Sequence, residues 1–111
     1  MQIEQTELEN GVLLVKLDGR LDIAGAGEAD MPFAVIAGAQ ENVMIDMTNV
    51  DFLASIGIRV LAQTARKLTG KGGALVLVKP QDAVRKVLVA TGVDRLMPIV
   101  ESEEDATAHF G

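Results

Sequence analysis

Apolar positions fall in short runs in the first part of the chain and settle into helical spacing further on. Ile3–Glu9 and Val12–Leu17 read as two strands, joined at Asn10-Gly11, a pair that supplies the positive φ a tight hairpin turn needs. After Asp18-Gly19-Arg20-Leu21-Asp22 comes a stretch of small residues, Ile23–Ala29, followed by Met31–Gln40, which has helical character. Pro32 leaves two readings open there: Asp30 caps a helix that begins at Met31, or a helix from Ile23 is kinked at the proline. Val43–Met47 is a short apolar run suited to a central strand. Ile58, Leu61, Ala62, Ala65 and Leu68 then recur on one helical stripe, with Arg59, Gln63, Arg66 and Lys67 towards water and Gly70 closing the helix. Ala74–Val78 is a continuous apolar strand ended by Pro80. Val84, Val87, Leu88 and Thr91 mark a further helix, Met97–Val100 a short strand, and Glu103–Phe110 a terminal helix with acids in its first turn.

The order is β-β-α-β-α-β-α-β-α. Such alternation predicts an α/β fold, a small mixed sheet of four to five strands with helices packed on it through right-handed crossovers. The 111 residues lie within the size range of one domain, 1–111, and show no internal repeat or linker.

Composition narrows what such a domain does. Three Phe with no Trp or Tyr leave an aliphatic core and no stacking platform for bases or sugars. The absence of cysteine removes disulfides, thiolate metal sites and cysteine nucleophiles, and the single histidine, His109, stands beside the C-terminus. No apolar run approaches the about 20 residues of a bilayer span, and the N-terminus lacks the pattern of a signal peptide, so a cytoplasmic location with no membrane insertion is expected.

The net charge of −6 is unevenly spread. Residues 1–58 carry two basic and ten acidic side chains, whereas residues 59–95 carry eight basic side chains against Asp82 and Asp94. The basic stretch has no interleaved aromatics and belongs to an acidic chain. It reads as solvated helix faces or a protein docking surface, and a nucleic-acid partner is not expected.

Candidate chemistry concentrates where the Val43–Met47 strand leads through Asp51-Phe52-Leu53-Ala54 into Ser55 and a helix. Ser55 falls where an N-cap belongs, and a capping hydroxyl contributes about 1 kcal/mol. The same position, at the positive end of a helix dipole and among the apolar or small residues Phe52, Leu53, Ala54, Ile56 and Gly57, also suits a phosphate carrier. Asp22, Asp46 and Asp51 are better read as caps and turn residues than as a metal constellation. Gly70-Lys-Gly-Gly73 precedes a strand and lacks P-loop spacing, and no nucleophile-elbow motif is present. Neither catalysis nor a metal or other cofactor is expected.

Gly19-Arg20-Leu21-Asp22, Ile45-Asp46-Met47, Val50-Asp51-Phe52-Leu53-Ala54-Ser55-Ile56-Gly57-Ile58, Gly70–Gly73 and Val84-Arg-Lys-Val-Leu with Thr91-Gly92-Val93 resemble the STAS domains of anti-sigma factor antagonists over nearly the whole chain. The resemblance implies that Ser55 is phosphorylated by a partner that is both anti-sigma factor and serine kinase. It further implies that the unphosphorylated form binds that kinase and frees the sigma factor, and that a PP2C-type phosphatase resets the switch. The docking surface expected on this reading comprises Asp22, Asp51, Phe52, Leu53, Ala54, Ile56, Gly57 and Arg59, on a monomer or weak dimer. Ala54 stands where the family usually has Asp, and Arg59 where it often has Gly; Arg59 is either a solvated side chain or a partner for a phosphate on Ser55. The departures leave a second reading, a constitutive STAS subunit of a lipid-transport complex or signalling scaffold in which Ser55 is only a helix cap.

Overall fold

The computed structural model describes residues 1–110. In chain order these form β1 (Gln2–Glu7), β2 (Leu13–Leu21), α1 (Ile23–Ala39), β3 (Asn42–Leu53), α2 (Ser55–Gly70), β4 (Ala74–Val78), α3 (Asp82–Ala90), a single 3-10 turn (Val93–Arg95), β5 (Ile99–Val100) and α4 (Glu103–Thr107). The strands make one five-stranded sheet in sequential order, with β1 antiparallel to β2 and β2 to β5 mutually parallel. With strands added in one direction, right-handed crossovers put every crossover helix on the same face. Accordingly, Phe33 and Ile36 of α1, Leu61, Ala65 and Leu68 of α2, and Val84 and Leu88 of α3 share one buried cluster with Leu13, Val15, Leu17, Val43, Ile45, Leu75 and Leu77 of the sheet. The strand residues between them point the other way. Val12, Leu14, Met44, Val76 and Val78 are covered by Ala106 of α4, with Leu8, Val100 and Phe110 at the margin.

Three elements depart from the expectations above or decide between them. The hairpin is not a two-residue turn: Leu8 N–H donates to Val12 O at 2.9 Å, leaving Glu9-Asn10-Gly11 as a three-residue loop. Only Gly11 takes a positive φ (81°), while the Asn10 side chain accepts from Val12 N–H at 3.1 Å. α1 runs unbroken from Ile23 through Pro32 to Ala39 and is capped by Asp22, not by Asp30. Its buried side is Gly25, Ala26, Ala29, Phe33, Ile36 and Ala37, and its outer side is also largely apolar, with Ile23, Met31 and Val35 exposed.

β3 is the third. Its first half, Asn42–Asp46, lies between β2 and β4, whereas its second half pairs with β2 alone. The β2–β3 register slips after Lys16↔Asp46 and again after Gly19↔Val50, each time by one extra residue on β3. A bulge of this kind turns the next side chain to the other face, so the buried residues of the second half are Met47, Val50 and Leu53, every third residue. That spacing resembles neither strand alternation nor a turn, and the strand reading accordingly stopped six residues early. The bulged ribbon carries β3 past the end of β4.

Candidate docking and phosphoacceptor site

The C-terminal ends of β2 and β3 deliver the chain into α1 and α2, and the two junctions are built alike. At the first, Asp22 takes the extended backbone of an N-cap (φ −88°, ψ −167°) and its Oδ1 accepts from Gly25 N–H at 2.8 Å. At the second, Ala54 takes nearly the same backbone (φ −91°, ψ 167°) but has no side chain with which to cap. Its N–H donates to Leu21 O at 2.9 Å, fastening the α2 start to the end of β2. Each helix carries a glycine three residues after its cap, because the first turn lies against β2. A Cβ on Gly25 would fall 1.8 Å from Arg20 O, and one on Gly57 would fall 2.8 Å from Leu21 O and 2.9 Å from Leu21 Cβ.

Ser55 is therefore the first residue of α2 and not its cap. It is exposed, and its hydroxyl makes no hydrogen bond with any described residue. The capping role that would have explained a serine here on structural grounds is absent.

Around Ser55 the structure sorts the expected docking residues into two sets. Asp51, Phe52 and Arg59 are exposed, and Asp22, Ala54 and Ile56 are half-buried. Leu53 and Gly57 are buried: Leu53 packs into the core beneath the loop and Gly57 presses on Leu21, so these two shape the surface from below and offer a partner little area. Two residues outside the expected docking set shape the rim, one on the surface and one beneath it. Arg20 pairs across the sheet with Phe52, its guanidinium 4.4 Å from the ring centroid, and its Nε lies 3.6 Å from Asp22 Oδ2. The hydrogen bond from Gly25, with Arg20's charge adding to it, holds the Asp22 carboxyl below its ordinary pKa. Gly25 is the other, since without it α1 could not begin where Asp22 caps it. Arg20 was visible in the Gly19–Asp22 run, but its partner Phe52 depended on a register that the bulges conceal.

From this rim a shallow groove of about 300 Å³ runs between the helices, lined by Ile23, Ala26 and Asp30 of α1 and Ile56, Arg59 and Gln63 of α2. Arg59 makes no ion pair with any described residue. Asp46 is not part of this surface: its Oδ1 accepts from the N–H and hydroxyl of Thr48 at the first bulge. Among the described residues no group of three or more acids or histidines is placed to hold a metal, and no helix is long and apolar enough to cross a membrane.

The profile of the STAS domain family matches residues 4–106, spanning the sheet, both helix junctions and α4. The chain belongs to the STAS domain family. Among its relatives is the anti-sigma F factor antagonist of Paenibacillus polymyxa, 29% identical over 108 residues that cover 96% of this chain and 92% of that one. A solved anti-sigma factor antagonist from Mycobacterium paratuberculosis is 32% identical, with a TM-score of 0.82 over 97% of this chain and 94% of the other. The STAS fold is shared too with the anti-sigma factor antagonist SpoIIAA in its unphosphorylated form, at a TM-score of 0.80, 20% identity and coverage of 96% and 93%.

Proposed function

We propose that this STAS domain is an anti-sigma factor antagonist switched at Ser55. In its unphosphorylated form it docks on an anti-sigma factor that is also a serine kinase, releasing the sigma factor. Phosphorylation of Ser55 by that kinase ends the complex, and a PP2C-type phosphatase restores it. The carrying observation is the Ser55 hydroxyl, exposed on the first turn of α2, without a hydrogen bond to any described residue and flanked by Phe52, Ala54 and Ile56. The names of the relatives support the same reading.

The switch follows from electrostatics. A phosphate adds about −1.5 to −2 charges to a rim that already holds Asp22 and Asp51. An apolar partner surface seated on Phe52 and Ile56 would then have to desolvate a dianion, which the low dielectric of an interface strongly disfavours. The chain acts as the substrate of the transfer and contributes no catalytic group of its own.

Incubation with the cognate kinase and ATP should add the mass of one phosphoryl group, located at Ser55. Ser55→Ala should keep binding the kinase without incorporating phosphate, and Ser55→Asp should bind more weakly. An unchanged mass, or phosphate found on Thr48 or Ser102 instead, would contradict the proposal.

A further inference from the structure

The second bulge of β3 decides what stands across from Arg20. Gly19 pairs with Val50, so an unbroken register would set Arg20 opposite Asp51; the extra residue leaves Asp51 unpaired and sets Arg20 opposite Phe52. A cross-strand acid would have neutralised the arginine. A ring instead carries its guanidinium, 4.4 Å from the centroid, and leaves the charge free to act outward. Asp22 is too far for a direct hydrogen bond, with its Oδ2 3.6 Å from Arg20 Nε, and its Oδ1 is committed to Gly25. Arg20 donates no hydrogen bond to any described residue, and Asp51 makes no ion pair with one. Arg20, Asp51 and Phe52 are all exposed. Leu21 and Leu53, the next pair along, point into the core beneath α1 and α2. Side chains alternate along a strand, so Arg20 and Phe52 stand on the other face of the sheet, past the stretch of it that α4 covers.

We propose that Arg20, laid on Phe52, is a specificity-determining residue of the docking surface and reads a carboxylate on the partner kinase. This rests on the function proposed above and extends the contact surface round the end of the sheet. The guanidinium carries its N–H donors in a planar fork and has no acceptor. A carboxylate, itself planar, takes two of those donors in parallel. A ring beneath one face of the fork restrains it before a partner arrives, so docking orders less. A partner that covers Phe52 also excludes water, and the charge pair strengthens as the local dielectric falls. The sign pattern completes the argument. Arg20 stands between two acids, Asp22 and the unpaired Asp51, so the pad alternates in sign. A fitting partner surface sets a carboxylate against Arg20 and a cation against Asp51, and one with the signs exchanged meets like charges at both. The apolar part of the rim, Ala54 and Ile56, supplies no such discrimination. Ser55 belongs to α2, on the helix side of the sheet, so the fork serves the partner and not the phosphoacceptor.

Calorimetric titration of the unphosphorylated chain with its cognate kinase tests the assignment. Arg20→Lys keeps the charge without the fork and should weaken binding about tenfold, and Arg20→Glu about a hundredfold. Phe52→Leu keeps an apolar side chain but removes the ring, and should cost roughly fivefold. Melting temperatures of all three should stay within about 4 °C of wild type, and reversing the charge of one kinase carboxylate should restore binding to Arg20→Glu. Arg20 variants that bind as tightly as wild type, or that no charge reversal on the kinase rescues, would overturn the assignment and leave the Ser55 reading standing. A wild-type chain that binds no kinase would overturn both. Undiminished binding by Arg20→Glu, with a phospho-Ser55 that titrates at higher pH than in the phosphorylated wild type by phosphorus NMR, would assign Arg20 to the phosphate and overturn the carboxylate pairing.

Discussion

Ala54→Asp restores the acceptor that the start of α2 lacks. The backbone needs no adjustment, since Ala54 (φ −91°, ψ 167°) and the working cap Asp22 (φ −88°, ψ −167°) share one conformation. Asp22 reaches the N–H three residues on, that of Gly25, at 2.8 Å; an aspartate at position 54 would reach Gly57 N–H in the same way. An N-cap acceptor in place of alanine contributes about 1 kcal/mol, with the helix dipole adding a few tenths. Repulsion from the exposed Asp51 and from Asp22 takes back a similar few tenths. The net expectation is a gain of about 1 kcal/mol, or about 4 °C in melting temperature for a domain of this size. Urea unfolding at neutral pH measures it directly. The sign of its pH dependence is fixed as well. A capping carboxylate titrates lower in the folded chain than in the unfolded one, so the gain is present above the unfolded value of about 3.9 and is lost as pH falls through the folded value. Ala54→Asn, a neutral cap, should keep its gain in acid. An Ala54→Asp variant no more stable than wild type at pH 7, or equally stabilised below both pKa values, would refute the capping account of this junction.

Three further outcomes follow from the geometry. Gly25→Ala should destabilise more than Gly57→Ala, because its Cβ would strike a carbonyl at 1.8 Å against contacts of 2.8 to 3.0 Å; denaturation of the pair should show a loss of about 1–3 kcal/mol for Gly57→Ala after the small gain in helix propensity. Asp22→Asn should flatten the acid limb of the stability profile: the lowered pKa of Asp22 contributes stability above its unfolded value that is lost as pH falls through the folded one, and coincident profiles for variant and wild type would rule this out. Pro32→Ala restores a hydrogen-bond donor inside α1 and should raise stability by about 1 kcal/mol or more in the same assay.

The sheet and its crossover helices were legible because their signals are local. The stripe of α2 and the uninterrupted apolar run of β4 announce their period and their burial. Where the signal depends on a neighbour, sequence reading fell short. The second half of β3 was hidden because two bulges turn its inward period from two to three, and bulges belong to the pairing with β2. The length of α1 was ambiguous because its residues are apolar on both sides and a proline sits within it; only Asp22, placed by the end of β2, marks its start. Ser55 lies at the start of α2, where the sequence placed it, but its position as first helical residue, and not cap, goes with the Ala54–Leu21 hydrogen bond, which no local pattern encodes. The burial of Leu53 follows from the same bulged register.

At the pole opposite Ser55 the chain is stitched together. Lys71 Nζ donates to Ala37 O and Gln40 O, Gly73 N–H to Leu68 O and Ala74 N–H to Glu41 O, and a Cβ on Gly73 would fall 1.7 Å from Glu41 O. Segment 71–74 is therefore a poor place to cut the chain, splice in a tag or attach a dye. The three-residue loop Glu9–Gly11 lies at the same end of β2 yet is exposed, and a Cβ on Gly11 meets nothing within 4 Å. Eight or more strand residues, about 27 Å, separate it from the Leu21 end, so a reporter placed there would follow binding without shading the surface it reports on.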